Sequence, residues 1–403
     1  MPARVDVAVV GAGLVGLAAA RQLVSRHPDL RVAVLDKEPA VARHQSGHNS
    51  GVVHAGLYYT PGSLKARLCR EGASLLREFC AAAEIPLVTR GKLVVAAEEW
   101  ELPRLAELQR RGEENGIAGI RELSPSELRE VEPHVVGVRA LHVPESGVVD
   151  YRLVAARLAD ELATAGATVQ LGAEVVSAHR NGGGLTVETR AETLHARALV
   201  VCAGLQSDRM AALLGLESAV RVVPFRGDYW RLRGRAASFV RGLVYPVPDP
   251  SFPFLGVHFT RGIDDVVSVG PNAVPSLARE RYSRFGVSPR DARDTLTWPG
   301  LFRLARRYAK TGALEVWRDV SKRAAVADMR RYVPELQAAD VERAGCGIRA
   351  QVMTRAGELV DDFLVEEGPS SLHVLNAPSP AATSCLAIGR VIAERAEEKF
   401  ELR

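Results

Sequence analysis

The stretch that decides the fold lies near the start of the chain and reads Val5-Asp6-Val7-Ala8-Val9-Val10-Gly11-Ala12-Gly13-Leu14-Val15-Gly16. Residues 5–10 form a short apolar run rich in β-branched side chains, which predicts a buried parallel strand. Residues 14–24 have helical spacing, and residues 31–35 predict a second buried strand that is closed by Asp36. The chain therefore opens with a complete β-α-β unit whose first turn is rich in glycine.

The three glycines of this turn have separate tasks. Gly11 permits the tight turn, Gly13 lets the backbone approach a pyrophosphate, and Gly16 lets the helix pack on the strand. The helix N-terminus adds free N–H groups and the positive end of a dipole. Asp36 follows Gly16 by 20 residues, where a carboxylate accepts the ribose hydroxyls of an adenosine. The alternative is a purely structural glycine turn, but the complete unit favours a dinucleotide site, in which we include Lys37.

The composition of the 403-residue chain sets its class. Hydrophobic residues make up 47% and charged residues 25%, a balance typical of a soluble globular protein with two or three domain-sized units. No apolar run reaches the roughly 18 residues of a membrane span. Residues 1–10 lack the basic start and cleavage site of a signal peptide. We therefore expect a cytoplasmic protein.

The charge and the cysteines argue against several kinds of site. The formal net charge of +4 is mild for this length, so it does not require nucleic acid and is compatible with an acidic small-molecule substrate. The five cysteines are scattered without a C-x-x-C pair, which argues against a disulfide framework and against zinc. We expect buried thiols, no metal site and no nucleic-acid partner.

Helical and strand patterns alternate along the rest of the chain. Further helices are predicted at residues 62–83, 101–115, 150–165 and 385–400, with an arginine-rich helical region at 289–331. Further strands are predicted at residues 92–96, 168–171, 174–180, 185–189, 198–202, 346–351, 359–365 and 372–375. Asn181-Gly182-Gly183-Gly184 predicts a hairpin, and residues 221–269 predict strands with proline-rich breaks.

This alternation predicts an α/β fold, α+β overall, in which a Rossmann-like dinucleotide-binding domain is interleaved with an antiparallel-sheet cap domain. Residues 1–90, 147–220 and 341–403 are assigned to the dinucleotide-binding domain. Residues 91–146 and 221–340 are assigned to a substrate-binding domain that covers the cofactor.

Three features favour FAD over NAD as the dinucleotide. The chain has a single glycine motif of this kind. A predicted strand ends in a small-residue turn that can pass close to a cofactor, and Asn376-Ala-Pro-Ser-Pro-Ala-Ala-Thr-Ser384 is a loop that places a helix N-terminus near a flavin. The predicted cofactor contacts in these two segments are Ala203, Gly204, Asp208, Pro378, Ser379, Ala381, Ala382 and Thr383.

The loop after the second strand supplies further candidate cofactor contacts. Its run from residue 45 to residue 51 is dense in hydrogen-bonding side chains, which favours contact with a flavin or pyrophosphate over simple turn chemistry. The candidates are Gln45, Ser46, His48, Asn49 and Ser50. Val175, near the start of a predicted strand, offers its backbone to adenine, whereas its side chain would be ordinary core.

Longer strings carry a resemblance to a known family. Two of them read His44-Gln-Ser-Gly-His-Asn-Ser-Gly-Val-Val-His-Ala-Gly-Leu-Tyr-Tyr59 and Val223-Pro-Phe-Arg-Gly-Asp-Tyr229, and the others span residues 245–249, 252–260, 270–273, 347–351, 359–363 and 376–384. In these strings the chain resembles the L-2-hydroxyglutarate dehydrogenase and oxidase family, within the D-amino-acid-oxidase-like flavoproteins, over essentially its whole length. The resemblance implies FAD and oxidation of L-2-hydroxyglutarate to 2-oxoglutarate. It leaves the electron acceptor open between oxygen and a membrane quinone.

Oxidation of a 2-hydroxy acid needs a base for the hydroxyl proton, and histidine is the natural base because its pKa lies near neutrality. His54 lies in the loop expected to pass the flavin, in a string similar to the His-Gly-Gly of related glycerol-phosphate-oxidising flavoproteins, and is the preferred base. His258, in Gly-Val-His-Phe-Thr, is a substrate contact or the rival base. The alternative for either is a hydrogen-bonded structural histidine.

The substrate's two carboxylates need cations. Arg226 and Arg349 are the candidates, because arginine holds a carboxylate bidentately and both lie among apolar or small residues. Either could instead be a solvated surface charge. Tyr245 and Lys92 are weaker candidates for polar contacts with the substrate.

Three rival functions stay open on the sequence. The first is an FAD oxidase of the same group that acts on another 2-hydroxy acid, an amino acid or glycerol phosphate, and the second is a flavoprotein without catalysis. The third is a peripheral membrane enzyme that reduces quinone, with the arginine-rich stretch 303–331 in contact with anionic lipid at the inner face of the cell membrane. A solvated helix face is the simpler interpretation of that stretch.

Overall fold

The computed structural model describes residues 3–249 and 255–402. Pro250, in the proline-rich break, and Phe252, Pro253 and Phe254, in the string 252–260, lie outside the described residues. The helices are α1 Leu14–Arg26, α2 Leu64–Ala82, α3 Leu102–Glu114, α4 Pro125–Val131, α5 Tyr151–Thr164, α6 Ser207–Leu213, α7 Pro289–Leu296, α8 Pro299–Arg307, α9 Ala309–Val320, α10 Lys322–Met329 and α11 Cys385–Phe400.

The strands fall into three sheets. They are β1 Ala3–Val10, β2 Val32–Leu35, β3 Val52–Val53, β4 Leu87–Thr89, β5 Lys92–Ala96, β6 Arg121–Leu123, β7 Arg139–Val143, β8 Gly147–Val149, β9 Thr168–Gln170, β10 Val175–Asn181, β11 Gly184–Thr189, β12 Thr193–Val201, β13 Val220–Leu232, β14 Leu243–Pro246, β15 Phe259–Arg261, β16 Val267–Val269, β17 Val274–Pro275, β18 Val341–Thr354, β19 Leu364–Gly368 and β20 Ser371–Asn376.

The first sheet contains the predicted β-α-β unit. Its strands run in the order β10-β11-β12-β1-β2-β9, with β20 beside β12 and β19 beside β20. Strand β1 pairs in parallel with both β2 and β12, and its last four residues are buried. Helices α1, α5 and α11 contribute most of their buried side chains to one core on this sheet. The predicted Rossmann-like arrangement is confirmed.

The second sheet has nine strands in the order β17-β13-β16-β15-β14-β5-β7-β6, with β18 beside β13. Its pairs are antiparallel except β14 with β5, which are parallel. A small third sheet, β3-β8-β4, was not predicted from the sequence. The α/β fold class with a mainly antiparallel second sheet is therefore as predicted.

Several local predictions need correction. The strand predicted at residues 359–365 begins only at Leu364, because the preceding chain is irregular and the Asn376 amide donates to the carbonyls of Val360 and Asp362. The prediction also omitted β6, α4 and β7 between residues 116 and 146. Helix α4 is a short capped helix, in which the Ser124 hydroxyl accepts from the Glu127 N–H.

The predicted domain boundaries stay a prediction, because the assignment of strands to sheets does not by itself define where a domain begins and ends. One segment differs from them in its pairing. Strand β18 was assigned to the dinucleotide-binding domain, yet it pairs with β13 along nearly its whole length in the second sheet. Residues 347–351 of this long pair line the cavity described next.

Candidate active site

One large cavity, of about 1270 Å³, is lined by residues from all three sheets and their loops. We call its cofactor part the lining drawn from segments 10–15, 35–50, 173–176, 202–213 and 374–383. We call its substrate part the lining formed by His54, Tyr229, Tyr245, His258 and Arg349. Most of the residues predicted from the sequence lie in one of these two parts.

The glycine turn between β1 and α1 is closed by backbone contacts. Gly11 has a φ of 112°, and an added Cβ would overlap the carbonyl oxygen of Cys202. A Cβ on Gly16 would overlap the carbonyl oxygen of Gly11, so the absence of a side chain lets the helix pack closely on the turn. Gly16 itself is not among the described residues that line the cavity. Gly11 and Gly13 line it, as predicted.

Asp36 and Lys37 line the cavity at the end of β2. The Asp36 carboxylate accepts from the backbone N–H of Ala12 at 2.6 Å and from that of Glu38 at 2.9 Å. It therefore ties the glycine turn to the end of β2. The Lys37 ammonium forms ion pairs with Glu38 and, at 2.9 Å, with Glu280.

The loop 45–50 lines the cavity, and its side chains also hold the backbone, so its contact with the cofactor stays a prediction. The Ser46 hydroxyl accepts from the N–H of Leu14 at 3.0 Å, and the Gln45 amide oxygen accepts from the N–H of Ala350 at 2.9 Å. The Asn49 amide donates to the carbonyls of Gln45 and Ser46 and accepts from the N–H of Gly51, so it closes a turn.

His48 and Ser50 complete the lining of this loop. The His48 ring stacks on Tyr282 with a centroid distance of 3.7 Å, and burial lowers the pKa of this histidine. The other predicted cofactor residues that line the cavity are Val175, Ala203, Gly204, Pro378, Ser379, Ala381, Ala382 and Thr383.

Thr383 connects this lining to the candidate base. Its hydroxyl oxygen accepts from the backbone N–H of His54 at 3.1 Å and lies 3.1 Å from the hydroxyl of Tyr151. The Thr383 and Tyr151 hydroxyls both donate to the carbonyl of Val52. Because Thr383 and Tyr151 are buried, this cluster fixes where His54 enters the cavity.

The two candidate histidines both line the cavity. Desolvation is the main cause that lowers the pKa of His54 well below its usual value, and the Lys92 charge adds to it. Burial also lowers the pKa of His258 to about 4. The Nδ1 of His258 lies 2.9 Å from the Gly256 carbonyl, which can only accept, so Nδ1 carries the proton and Nε2 of the neutral ring is a free base.

Three further side chains surround these histidines. The Tyr245 ring lies against the His258 ring with a centroid distance of 4.3 Å, and the Lys92 ammonium lies 4.4 Å from the Tyr245 ring centroid. Lys92 is buried, its pKa is lowered to about 8 by burial, and no carboxylate among residues 3–249 and 255–402 forms an ion pair with it. The Arg349 charge acts on the pKa of Tyr229 and of His258.

Arg226 does not lie where the sequence reasoning put it. It is not among the described residues that line the cavity, and its guanidinium instead forms ion pairs of 3.0 Å with Asp228 and with Asp319. The reason is the alternation of side chains along β13. Gly227 and Tyr229 line the cavity, so Arg226 and Asp228 point to the opposite face of the sheet.

Asp208 is also absent from the described lining of the cavity. Its carboxylate forms an ion pair with the buried Arg279 guanidinium, which also donates to the carbonyls of Leu205 and Val222. The cavity residues that the sequence reasoning left out include Tyr229 and Tyr151. Tyr229 ends one of the quoted strings, so the sequence did mark it as a candidate. Tyr229 and Arg226 lie on opposite faces of β13, however, and the string alone does not show which face lines the cavity.

Comparison with known proteins agrees with this geometry. A family model described as FAD dependent oxidoreductase matches residues 6–395. L-2-hydroxyglutarate dehydrogenase from Indibacter alkaliphilus is 44% identical over 98% of this chain and 99% of its own length. The chain belongs to the L-2-hydroxyglutarate dehydrogenase family of FAD-dependent oxidoreductases. The human mitochondrial member is 42% identical over 98% of this chain and 89% of its own length.

Solved structures support the fold of this family member. An L-α-glycerophosphate oxidase from Mycoplasma pneumoniae with FAD bound superposes with a TM-score of 0.77 at 23% identity, over 98% of this chain and 95% of that chain. Glycine oxidase from Geobacillus kaustophilus gives a TM-score of 0.69 at 21% identity over the same shares. Within the described ranges, no helix combines the length and apolarity needed to cross a membrane.

FAD is the cofactor of this oxidoreductase, and the residues of the cavity fit it. The turn at Gly11 and Gly13 leaves room for a pyrophosphate, because Gly13 adds no side chain and Gly11 admits none. The start of α1 and the loop before α11 both face the same cavity and offer backbone N–H groups. Asp36 lies at the position expected for a ribose contact.

Proposed function

We propose that this enzyme oxidises L-2-hydroxyglutarate to 2-oxoglutarate. The observation that carries the proposal is the substrate part of the cavity, where two histidines of lowered pKa and Arg349 line the same space as the FAD-binding segments. The relatives named L-2-hydroxyglutarate dehydrogenase support the choice of substrate, since they align over almost the whole chain. When bound, FAD supplies the acceptor for the hydride that leaves C2 of the substrate.

We assign the base to His54, with His258 as the rival. A base must be unprotonated at neutral pH, and the lowered pKa of both rings supports this for either one. His54 Nδ1 is buried and has no hydrogen-bond partner among the described residues, which is consistent with a partner supplied by substrate. His258 then orients the substrate hydroxyl or carboxylate through Nε2.

We assign one carboxylate of the substrate to Arg349. Arg349 lines the cavity, and its charge acts on the pKa of Tyr229, Tyr245 and His258, which supports a position close to the substrate part. Arginine fits this task because its fork of N–H donors matches a carboxylate. Lys92 adds positive potential from behind Tyr245 and Tyr58, and Tyr245 is proposed as a polar contact.

Electrons pass from the enzyme to oxygen or to a quinone, and the sequence stretch 303–331 remains the predicted site of any membrane contact. The test of the substrate is anaerobic mixing of purified enzyme with L-2-hydroxyglutarate while the flavin absorbance is followed. The flavin should bleach with the L-enantiomer and keep its colour with the D-enantiomer. Bleaching by glycine, glycerol phosphate or L-lactate at the same rate would favour another oxidase of the group, and no bleaching by any of them would favour a non-catalytic flavoprotein.

A further inference from the structure

One end of the proposed substrate has no assigned partner in the cavity. The substrate has two carboxylates, and the substrate part of the cavity contains one arginine, Arg349. Arg226, the second cation predicted from the sequence, is paired with Asp228 and Asp319 on the opposite face of β13. A carboxylate that leaves water is stable only when opposite charge and hydrogen-bond donors replace its hydration. Other groups of the protein must therefore receive the second carboxylate.

Two buried polar atoms of the cavity lack a hydrogen-bond partner. Of the described residues that line the cavity, only His54, at Nδ1, and Tyr58, at its hydroxyl oxygen, have such an atom. Buried polar atoms are nearly always paired, so an unpaired one indicates a position where a water or a ligand binds. His54 is already assigned to the substrate hydroxyl. The Tyr58 hydroxyl is therefore the group that remains for another part of the substrate.

The environment of Tyr58 makes its hydroxyl a donor. Desolvation raises the pKa of Tyr58 well above its usual value, and Tyr245 adds to this effect. The phenol therefore keeps its proton at physiological pH. A carboxylate oxygen can only accept, so a protonated phenol is a suitable partner for it.

A buried ammonium without a counter-ion lies beside the Tyr58 ring. Lys92 is 2% exposed, and its Nζ lies 5.2 Å from the ring centroid of Tyr58 and 4.4 Å from that of Tyr245. Burial lowers the pKa of Lys92 to about 8, so it stays charged at neutral pH, and the only described group that opposes this shift is the Cys69 thiol. A buried charge without an opposite charge is strongly destabilising. A carboxylate bound at Tyr58 would supply the missing counter-charge.

Strand β5 holds this ammonium close to the substrate part. Side chains alternate along a strand, so Lys92 lies on the same face as Val94, which packs in one apolar cluster with Tyr58 and Tyr245. The Lys92 charge acts on the pKa of both candidate histidines. Apolar surroundings reduce screening, so the attraction between Lys92 and a nearby carboxylate is stronger than it would be in water.

We propose that Tyr58 and Lys92 form a second carboxylate subsite, in which the Tyr58 hydroxyl donates to the substrate carboxylate that Arg349 does not hold and Lys92 supplies the counter-charge. The inference rests on the proposed function and names the groups that select a dicarboxylate over a monocarboxylate. Lys65 is the rival cation, because it also lines the cavity, but its ammonium is already paired with Asp361 at 2.8 Å.

The test uses two pairs of compounds that differ in one carboxylate. L-2-hydroxyglutarate and L-2-hydroxypentanoate are compared by their kcat/KM values, and glutarate and pentanoate, which have no hydroxyl to oxidise, by their dissociation constants in titration calorimetry. The variants of the FAD-loaded enzyme are Tyr58→Phe and Lys92→Met, which remove the hydroxyl or the charge but keep much of the shape. The matched control is Lys65→Met. Flavin content per protein verifies that each variant is folded, and Tyr58→Phe decides alone if Lys92→Met does not hold FAD.

We expect the parent enzyme to prefer the dicarboxylate in both pairs. Tyr58→Phe and Lys92→Met should each lower this preference by at least about tenfold, as expected when a partner of a charged group is lost, and should change the values for the monocarboxylates much less. Lys65→Met should keep the parent preference.

The subsite is overturned if the parent binds glutarate no better than pentanoate, or if either folded variant keeps the parent preference. It is also overturned if Lys65→Met removes the preference, since Lys65 would then hold the second carboxylate. Failure of the proposed function has a different signature. In that case the parent does not oxidise L-2-hydroxyglutarate, and the comparison of glutarate with pentanoate still decides whether the subsite exists.

Discussion

The cofactor part and the substrate part of the cavity are built from different kinds of group. In the cofactor part the backbone forms the surface, and side chains such as Ser46, Asp36 and Asn49 use hydrogen bonds to hold that backbone in place. In the substrate part, side chains form the surface, and burial changes their pKa. We therefore expect FAD binding to be lost when atoms are added to the cofactor part. We expect substrate binding or oxidation to be lost when functional groups are removed from the substrate part.

The largest effect should come from adding one methyl group to the glycine turn. Gly11→Ala places a Cβ on the Cys202 carbonyl and requires a φ of 112°, which alanine rarely adopts. We expect loss of FAD, measured as flavin absorbance per protein after purification. Gly182→Ala is the control, because a Cβ there has nothing within 4 Å. Full flavin content in Gly11→Ala would contradict the idea that the backbone sets this end of the cavity.

Removal of the base should give the next largest effect. His54→Ala should slow anaerobic flavin reduction by about 10²–10⁴-fold, the usual contribution of a positioned base, while FAD stays bound. Stopped-flow reduction over a range of L-2-hydroxyglutarate concentrations measures this rate. His258→Ala is the companion variant. If His54→Ala reduces at the parent rate and His258→Ala does not, the base is His258.

Arg226 should affect stability and not substrate binding. Its removal leaves Asp228 and Asp319 buried without this partner, so Arg226→Ala should lower the free energy of unfolding by about 3–5 kcal/mol. Denaturant unfolding of the FAD-loaded enzyme measures the change. Arg231→Ala is the control on the same strand, because its ion pair with Glu342 is exposed and should contribute at most about 1 kcal/mol. A raised substrate dissociation constant with unchanged stability would restore the original prediction for Arg226.

Arg349 should show the opposite behaviour. Arg349→Ala should weaken L-2-hydroxyglutarate binding by about 1.5–3 kcal/mol, the value of a hydrogen bond to a charged group, and this loss should exceed any change in the free energy of unfolding. Arg349→Lys keeps the charge but loses the bidentate geometry, so we expect it to fall between the parent and the alanine variant. Normal binding in both variants would move the carboxylate contact to Lys92 or Tyr245.

The smallest expected effect is on the pH dependence of the rate of flavin reduction. A base works only above its pKa, and burial lowers the pKa of both histidines, so the reduction rate should stay constant down to about pH 6.5 and fall only at more acidic pH. The charge of Lys92 is the second cause of the lowered pKa of His54, after desolvation. Lys92→Met should therefore move the acidic fall to higher pH by less than about one unit. An unchanged profile in this variant would show that Lys92 lies too far away to act.

Most of the residues predicted to contact the cofactor line the cavity, and the reason is that their sequence signals are local. A strand, a glycine turn, a helix and a terminal acid follow one another within residues 5–36, and each has its own steric reason. The string containing Arg226 did not indicate which face of β13 each residue occupies, so Arg226 was assigned to the cavity and Tyr229 was left out. The face on which each side chain of β13 lies depends on the register of its pairing with β18, and the two strands are more than 100 residues apart in the sequence.

Helix α9 shows a different limit. The arginine-rich stretch was interpreted most simply as a solvated helix face, since charged residues usually face water. The buried positions of Glu315 and Asp319 depend on partners from distant segments, among them Arg226, Arg284 and Asn272. A pattern within one helix cannot reveal that its two acidic side chains face the protein while most of the basic residues of the same stretch stay exposed.

The contact between α1 and α11 has a consequence for how the enzyme is made. Gly389 packs so closely on Ala18 that a Cβ there would lie 2.6 Å from the Ala18 carbonyl carbon. The two helices share one core, and the loop 376–384 that precedes α11 forms part of the cavity wall. Ribosomes synthesise this wall long after the glycine turn has emerged. We therefore expect a complete FAD cavity only after α11 has packed on α1, because before this contact forms the first sheet has an open cavity and an uncovered apolar flank.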